Sequence, residues 1–318
     1  MKAVLSTLIA TCCFGALDTA AQLRLPFALD AEGYTLAAKA PDPVRLAAEP
    51  LSGEQQASRP TRQQLWLRNA GLIAGGSLLV GAYGMAKWWD DGFTGNFRSE
   101  NEGWFGQNTK YGGADKIGHA WFSYVGARLL AQGFEAVGNE SAPAQKLAFW
   151  TAFGVMTAGE VLDGYSRQYR FSKEDVVMNL AGAGFGYLME RHPDLDRLVD
   201  FRVLYRKSEG SEWEPAGDYS GQTYLFVAKA SGIPALRENS VLRYFELAAG
   251  YGTRGYDITP GAKGQRNLYF GISLNLSEVL AQTVFRGARE RGAAQRSTDL
   301  FLEFIQVPGT AALAKHQL

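Results

Sequence analysis

Three ionisable residues stand at the start of an apolar helical segment, and they constrain what this chain can fold into. Asp115, Lys116 and His119 follow a Gly-Gly pair and lead into the apolar run 120–130. Asp115 and His119 are four residues apart, so on a helix they lie on the same face. Because burying ionisable groups in apolar surroundings is costly, these side chains need polar partners or a chemical task. The fold must therefore bring further polar groups to this end of the helix.

Four mostly apolar segments have a helical pattern. They cover residues 69–86, 115–134, 142–165 and 173–190. Ser172 and Asp175 form a variant of the capping box at the start of the fourth segment. The first segment is near the lower length limit for crossing a bilayer, and it ends in Lys-Trp-Trp-Asp, which is typical of an interfacial anchor. We expect a membrane-associated four-helix bundle, with a buried soluble helix as the alternative for the first segment.

The pattern changes after residue 202. Four stretches rich in Tyr, Phe, Leu and Val are separated by Gly, Pro and Asn, which is typical of antiparallel strands. These predicted strands cover residues 222–229, 244–251, 267–276 and 299–307, and the stretch 277–296 is predicted to be helical. We therefore predict an α+β fold. A four-helix domain at 61–200 is followed by a small C-terminal antiparallel β-sheet in a strand-rich domain at 201–318.

The N-terminus is typical of an export signal. Residues 1–21 contain an apolar stretch after a lysine and end in small residues, which predicts a signal peptide cut before Gln22. Both cysteines, Cys12 and Cys13, lie in this segment, so cleavage would leave no disulfide and no thiolate metal site. The alternative is a lipoprotein, because Ile-Ala-Thr before Cys12 loosely resembles a lipobox.

Charge and export limit the location and the partners. Lys plus Arg and Asp plus Glu both total 32, so nothing predicts the basic face that nucleic acid requires. The mean hydropathy of −0.16 is too low for a fully embedded protein. Residues 22–60 show no sustained period and predict a poorly ordered linker. We expect an exported, periplasm-facing protein associated with the inner or the outer membrane.

The later helical segments supply candidate partners for the ionisable residues. Glu160 and Asp163 are three residues apart and share a helix face. Arg170 precedes the fourth segment, and Asp175 and Asn179 lie within it, four residues apart. Helix bundles build metal and cofactor sites from side chains on facing helices. If the segments pack together, these residues converge at one end of the bundle.

Two interpretations of this convergence involve no catalysis by the side chains themselves. The first is a divalent metal ion, since mixed imidazole and carboxylate ligands suit zinc, manganese or iron. Its predicted ligands are Asp115, His119, Glu160 and Asp163. The second is a buried ion-pair network that fixes how the helices pack.

The third interpretation is a catalytic or anion-binding site. His119 would act as acid or base, and the carboxylates of Asp115 and Glu160 would orient it. Lys116 and Arg170 would hold a phosphate or another anion. The predicted catalytic residues are thus His119, Asp115, Glu160 and Lys116, and the predicted cofactor-binding residues are Arg170, Asp175 and Asn179. The cofactor is undetermined, with a divalent metal ion as the candidate.

The order and spacing of these residues resemble the VanZ-like pattern of Asp-Lys-x-x-His, a later Glu, and Arg with Asp-x-x-x-Asn-x-x-Gly. The longer form Gly-Gly-Ala-Asp-Lys-x-Gly-His is similar to the YfiM-like predicted periplasmic lipoproteins, a family of unknown function. The resemblance covers about 69–192 and is weaker at 244–276. It implies four membrane-associated helices. VanZ-like proteins are linked to resistance to teicoplanin-type glycopeptides. This chain differs from the simplest VanZ-like pattern because Asp163 stands where a Gln is common. It also has an export signal and a strand-rich C-terminal part.

Two functions are consistent with these observations. The first is an envelope protein that acts on or binds a lipid or cell-wall intermediate at the membrane through the polar site. The alternative is a non-catalytic envelope scaffold, in which the same residues form a structural network and the sheet binds a protein partner.

Overall fold

Four long helices form the first half of the described chain. The computed structural model describes residues 60–211, 213–256, 264–286 and 292–318, so the predicted signal 1–21 and the linker up to residue 59 lie outside the described residues. The helices are α1 (Arg62–Lys87), α2 (Ala114–Ala136), α3 (Ser141–Tyr165) and α4 (Lys173–Arg191). They coincide closely with the four predicted segments, although α1 starts at Arg62 rather than at residue 69.

Helix α2 lies at the centre of the helical layer. It packs along both α3 and α4, which also contact each other. Gly182 in α4 lies directly against the backbone of Ala120 in α2, and Gly186 lies against Ala127 and Tyr124. Because glycine has no side chain, the backbones of the two helices approach closely at these positions. This approach brings the polar residues at the N-terminal end of α2 next to those of α4.

Helix α1 differs from the other three because most of its apolar surface is uncovered. Thr61 and Gln64 close its N-terminus with a capping box. Leu72 packs against the cluster around Phe134, but Trp66, Leu78 and other apolar side chains are exposed. At 1.5 Å per residue its 26 residues span about 39 Å. Among the described residues, α1 is the one helix long and apolar enough to cross a membrane.

The second half of the chain forms a five-stranded antiparallel sheet with the strands in sequence order. Short strands β1 (Ser99–Glu100) and β2 (Phe171–Ser172) pair in parallel beside the helices, and α5 (Pro193–Leu198) leads into the sheet. The sheet contains β3 (Val199–Tyr205), β4 (Gln222–Lys229), β5 (Phe245–Arg254), β6 (Gln265–Leu274) and β7 (Ala311–Gln317). Helices α6 (Pro234–Arg237), α7 (Leu276–Gln282) and α8 (Ala293–Phe304) lie in the connections.

The C-terminal part differs from the prediction in three ways. The predicted strand 299–307 is mostly helix, as the end of α8, because a short apolar run cannot be assigned from periodicity alone. The predicted helix 277–296 is not continuous, since the described parts are α7 and the start of α8. Strands β3 and β7 were not predicted, and they bring the sheet to five strands rather than four.

One apolar core joins the helices to the sheet. Tyr124 of α2 packs on Phe201 of β3 and on Phe304 of α8, with ring centroids 5.7 Å apart in both pairs. Trp121 of α2 and Tyr224 of β4 belong to the same buried cluster. The residues at 61–200 and at 201–318 therefore share a core across the boundary that the sequence predicts between two domains.

Replacing Gly182 with alanine should destabilise the helical layer. A Cβ at Gly182 would overlap the carbonyl oxygen of Ala120, which is backbone and cannot rotate away. We expect a loss of about 1–3 kcal/mol in the free energy of unfolding, the range for overpacked cores. Thermal and urea unfolding of the purified chain measure this loss.

Gly184→Ala is the matched control, because the nearest atom to its Cβ would be in Phe149 at 3.9 Å, an ordinary contact distance. This change should be neutral or stabilising by up to about 1 kcal/mol, since alanine favours helix over glycine. Equal melting temperatures for the two variants would contradict the close approach of α2 and α4.

Candidate functional site

A left-handed turn positions the N-terminus of α2. Tyr111, Gly112 and Gly113 have φ angles of 50°, 61° and 86°, and Tyr111 is the one non-glycine residue with positive φ in the described chain. The Tyr111 ring stacks on Tyr219 at 4.4 Å, and Tyr251 donates a hydrogen bond to the carbonyl oxygen of Gly112. These contacts hold a backbone conformation that would otherwise be unfavourable. The turn places Asp115 and Lys116 in the buried first turn of α2.

The Lys116 ammonium is completely buried and is surrounded by three carboxylates. Its Nζ donates hydrogen bonds to Asp115 Oδ2 at 3.0 Å, to Asp175 Oδ2 at 3.1 Å and to Glu102. Three acceptors match the three donors of an ammonium group. Burial alone would lower the pKa of Lys116, but the carboxylates of Asp115, Asp175 and Glu102 raise it above its ordinary value. Lys116 therefore stays charged and connects α2, α4 and the loop before α2.

Glu102 belongs to this cluster, although the sequence did not indicate it. It is buried, and it accepts hydrogen bonds from both Lys110 and Lys116. Burial raises the pKa of Glu102, but Lys110 and Lys116 outweigh this and lower it to about 2. Glu102 lies in an irregular loop without a repeating pattern, so no local signal pointed to it.

The His119 imidazole is held on both sides by polar groups. Its Nδ1 lies 3.2 Å from Asn179 Oδ1, and its Nε2 lies 3.4 Å from Glu160 Oε1 and 4.0 Å from Asp175 Oδ1. An amide oxygen only accepts hydrogen bonds, so the proton lies on Nδ1 of a neutral ring. Nε2 then faces two carboxyl groups. The His119 side chain is 22% exposed, whereas those of Glu160 and Asp175 are almost fully buried.

Burial, together with the excess of carboxyl groups over cations around His119, raises the pKa of several of these carboxyl groups. Burial, with the carboxylates of Asp175 and Asp163, raises the pKa of Glu160 to about 8, although His119 opposes the shift. Burial is also the main cause that raises the pKa of Asp115 to about 6. For His119, burial would lower the pKa, but Asp175 and Glu160 raise it above its ordinary value. The cluster therefore favours an added positive charge, as a proton or a cation.

Two of the predicted site residues make other contacts. Asp163 Oδ1 accepts a hydrogen bond of 2.5 Å from the Trp89 indole, which ties the end of α1 to α3. Arg170 donates to the backbone carbonyl oxygens of Tyr169 at 2.7 Å and Arg167 at 3.4 Å, and so supports the loop before α4. Arg170 thus does not join Asp175 and Asn179 as the predicted cofactor-binding set required.

The predicted metal ligands are also divided between different partners. His119 and Glu160 come together as predicted, but Asp115 contacts Lys116 and Asp163 contacts Trp89. Asp175 is the third side chain that lies within reach of a shared cation, together with His119 and Glu160. The sequence predicts Asp175 both as part of a capping box and as a cofactor-binding residue, and its backbone N–H does bond to Ser172 Oγ at 3.3 Å.

The segment that contains this site is similar to a known protein family. Residues 101–191 match the model of a family described as predicted periplasmic lipoprotein (DUF2279). The match covers less than a third of the 318 residues, but it contains α2, α3 and α4 with all the contacts of His119 described above. It supports an exported, periplasm-facing protein of a lipoprotein-like envelope family of unknown function. No curated protein and no solved structure matches the chain.

Acid should selectively remove the contribution of Glu102 to stability. Its pKa of about 2 lies below the ordinary value of 4.5, so its stabilising effect is complete above pH 4.5 and is lost as the pH falls toward 2. At pH 7 we expect Glu102→Gln to lower the free energy of unfolding by roughly 3 kcal/mol. The difference from the wild type should shrink steadily between pH 4.5 and pH 2.

Urea unfolding at pH 7, 5 and 3 measures this difference. Glu100→Gln is the control, because Glu100 is exposed and lies only two residues away. A deficit for Glu102→Gln that stays constant from pH 7 to pH 3 would contradict the role of its charge.

Proposed function

We propose that this protein is a membrane-anchored envelope protein whose working site is the cluster of His119, Glu160, Asp175 and Asn179, here called the His119 site. The observation that carries the proposal is the exposure of the imidazole. His119 reaches solvent while the carboxylates around it are buried, and Asn179 fixes its orientation. A group that serves only to lock helices together needs no such access. The site would bind or act on a lipid or cell-wall intermediate.

The polar residues divide into a structural half and a functional half. Lys116, Asp115 and Glu102 are buried, and Lys116 donates hydrogen bonds to both carboxylates, so the three residues act as a packing lock. In this position the Lys116 ammonium has no free donor for a substrate anion. His119 and Glu160 form the other half. Asp175 contacts both halves and keeps them at a fixed distance.

The position of α1 supports action close to a membrane. Its C-terminal end carries the partly exposed Trp88, and tryptophan is enriched at membrane interfaces. Trp89 is hydrogen-bonded to Asp163, which lies one helical turn after Glu160 of the His119 site. If α1 inserts into a bilayer, the site lies near the surface where α1 emerges. A substrate with its polar part at that surface would be within reach.

Two sequence features support the assignment as a membrane-anchored envelope protein. The motif residues on α2, α3 and α4 resemble the VanZ-like and YfiM-like pattern, and we propose a relationship to these proteins on that basis. The family match to a predicted periplasmic lipoprotein favours Cys12 as a lipidated residue over cleavage before Gln22.

Metabolic labelling with an alkyne fatty acid tests the anchor. The wild type and Cys13→Ser should be labelled, whereas Cys12→Ser should lose the label, because a lipobox cysteine is the acylated residue. A mature protein that begins at Gln22 in all three would exclude lipidation.

One observation favours the scaffold alternative. The large apolar side chains of Phe226, Leu247, Phe270 and Ile272 are exposed on neighbouring strands of the sheet. Contiguous apolar surface of this kind marks interaction sites. In that alternative the sheet binds an envelope protein, and the His119 site has no ligand of its own.

His119→Gln and Lys116→Met separate the two functions. We expect His119→Gln to keep its melting temperature within about 2 °C but to lose the lipid or cell-wall intermediate that copurifies with the wild type, since only the exposed site is altered. Lys116→Met should lower the free energy of unfolding by about 3–5 kcal/mol, because it leaves buried carboxylates unpaired. Mass spectrometry of extracts from the full chain in detergent measures the bound compound.

His316→Gln and Lys173→Met are the matched controls. Both lie on the surface, and the Lys173 side chain is 72% exposed, so neither change should affect binding or stability. An equal amount of bound compound in the wild type and in His119→Gln would contradict the proposed function and favour the scaffold.

A further inference from the structure

The imidazole of His119 and the carboxyl groups of Glu160 and Asp175 are arranged like the ligands of one cation. The ligand atoms of His119, Glu160 and Asp175 all lie within 4.8 Å of one another. Nε2 of His119 is 3.4 Å from Glu160 Oε1 and 4.0 Å from Asp175 Oδ1. With metal–ligand bonds of about 2.0–2.2 Å, a tetrahedral ion separates its ligand atoms by about 3.3–3.6 Å. Only small side-chain movements would bring all three groups to bonding distance of one ion.

The orientation of His119 is the one that metal ligation requires. Asn179 Oδ1 accepts from Nδ1 at 3.2 Å, and Ser123 Oγ donates to the same oxygen at 3.2 Å. This leaves the lone pair of Nε2 directed toward two carboxyl groups, whose oxygens could ligate the same ion. Histidine ligands in metal sites commonly donate their other ring N–H to an oxygen acceptor that fixes the ring. Here Asn179 is that acceptor.

The buried carboxylate of Asp175 lies between the Lys116 ammonium and the His119 ring. The residue is almost fully buried, and Lys116 Nζ makes its hydrogen bond to Oδ2 at 3.1 Å. Oδ1 lies 2.9 Å from the same Nζ but accepts no hydrogen bond from any described group. Oδ1 is also the atom that faces His119. Because a carboxylate oxygen has two lone pairs, Oδ1 can lie beside the Lys116 ammonium and still ligate a cation next to His119.

A neighbouring cluster of carboxylates shows why a metal ion would bind at the His119 site and not beside Lys116. Glu102, Asp115 and Asp175 also lie within reach of a shared cation, but the Lys116 ammonium fills the space between them. That position is therefore already occupied by a positive charge. At the His119 site a bound ion would take the corresponding position between the imidazole and the two carboxyl groups.

From this geometry we propose that His119, Glu160 and Asp175 bind one divalent transition-metal ion, with Asn179 positioning the histidine. One imidazole and two carboxylates suit zinc, manganese or iron better than magnesium or calcium. Three protein ligands leave a coordination position open, as in catalytic metal sites. Since His119 reaches solvent, that position would be accessible to a ligand.

The inference rests on the proposed function and identifies the class of compound that the site accepts. An open metal position binds phosphoryl or carbonyl oxygens and polarises them. Lys116 and Arg170 were predicted to hold an anion, but Lys116 is enclosed by carboxylates and Arg170 supports a loop. The metal ion would take over this role. The substrate would therefore be an anionic or ester-containing intermediate, bound through an oxygen atom.

Metal titration of the full chain in detergent tests the site. The protein carries a tag without histidine and is treated with EDTA and desalted, and Zn²⁺, Mn²⁺ and Mg²⁺ are then titrated by calorimetry with elemental analysis. We expect one Zn²⁺ or Mn²⁺ per chain and much weaker Mg²⁺ binding. His119→Gln and Glu160→Gln should each weaken Zn²⁺ binding at least 100-fold. Asn179→Ala should weaken it about 10–100-fold, as for other groups that orient a ligand.

Control variants distinguish this site from surface binding and from loss of the fold. His192→Gln and His316→Gln change the two remaining histidines, which are exposed, and Asp163→Asn changes a carboxyl group that Trp89 engages. All three should bind Zn²⁺ like the wild type. Absorption of bound Co²⁺ reports the ligands directly, and its visible bands should be absent in His119→Gln at unchanged circular dichroism.

The outcomes separate this inference from the proposed function. Absence of stoichiometric Zn²⁺ and Mn²⁺ binding, or unchanged binding in His119→Gln, would overturn the metal site. If the copurifying intermediate still depends on His119 after EDTA treatment, the proposed function stands without a metal. If the metal binds but no intermediate copurifies with any variant, the metal site stands and the proposed function fails.

Discussion

The arrangement of the helices depends on the hydrogen bonds that the buried Lys116 ammonium donates to three carboxylates. It bonds to carboxylates from its own helix, from α4 and from the loop that precedes α2. Removing one partner from such a buried group costs about 3–5 kcal/mol, because the others lose their compensating charge. The close approach of α2 and α4 at Gly182 allows these groups to meet. The hydrogen bonds of Lys116 and the close packing of α2 on α4 therefore depend on each other.

Asp175 connects the packing lock to the partly exposed His119. Both of its carboxylate oxygens lie beside the Lys116 ammonium, at 2.9 Å and 3.1 Å, and Oδ1 is also 4.0 Å from His119 Nε2. The buried pairing thus holds one carboxylate in place beside the imidazole, and Asn179 holds the imidazole itself. Preorganised sites of this kind are built on rigid elements that support the functional groups. Directly after His119, α2 packs on the sheet through Trp121 and Tyr124, so the sheet also supports the position of His119.

The helices were predicted well because each is long enough for its periodicity to be clear. The strand-rich part was harder. The run 299–307 looked like a strand but forms the end of α8, since a short apolar run fits either structure. Strand β3 directly follows α5, and nothing in its short sequence separates it from the preceding helix. The predicted site residues converge except for Arg170 and Asp163, whose contacts with a loop and with Trp89 depend on tertiary packing.

The sequence by itself determined which groups had to find partners. Asp115, Lys116 and His119 open an apolar helix, and their spacing and the cost of burial required polar residues nearby. Only the tertiary structure decided how the partners are divided. Glu102 comes from an irregular loop, and Asp175 lies between Lys116 and His119 because α2 and α4 pack closely. Charge balance within a buried cluster depends on distances between elements, and the order of residues along a chain does not contain those distances.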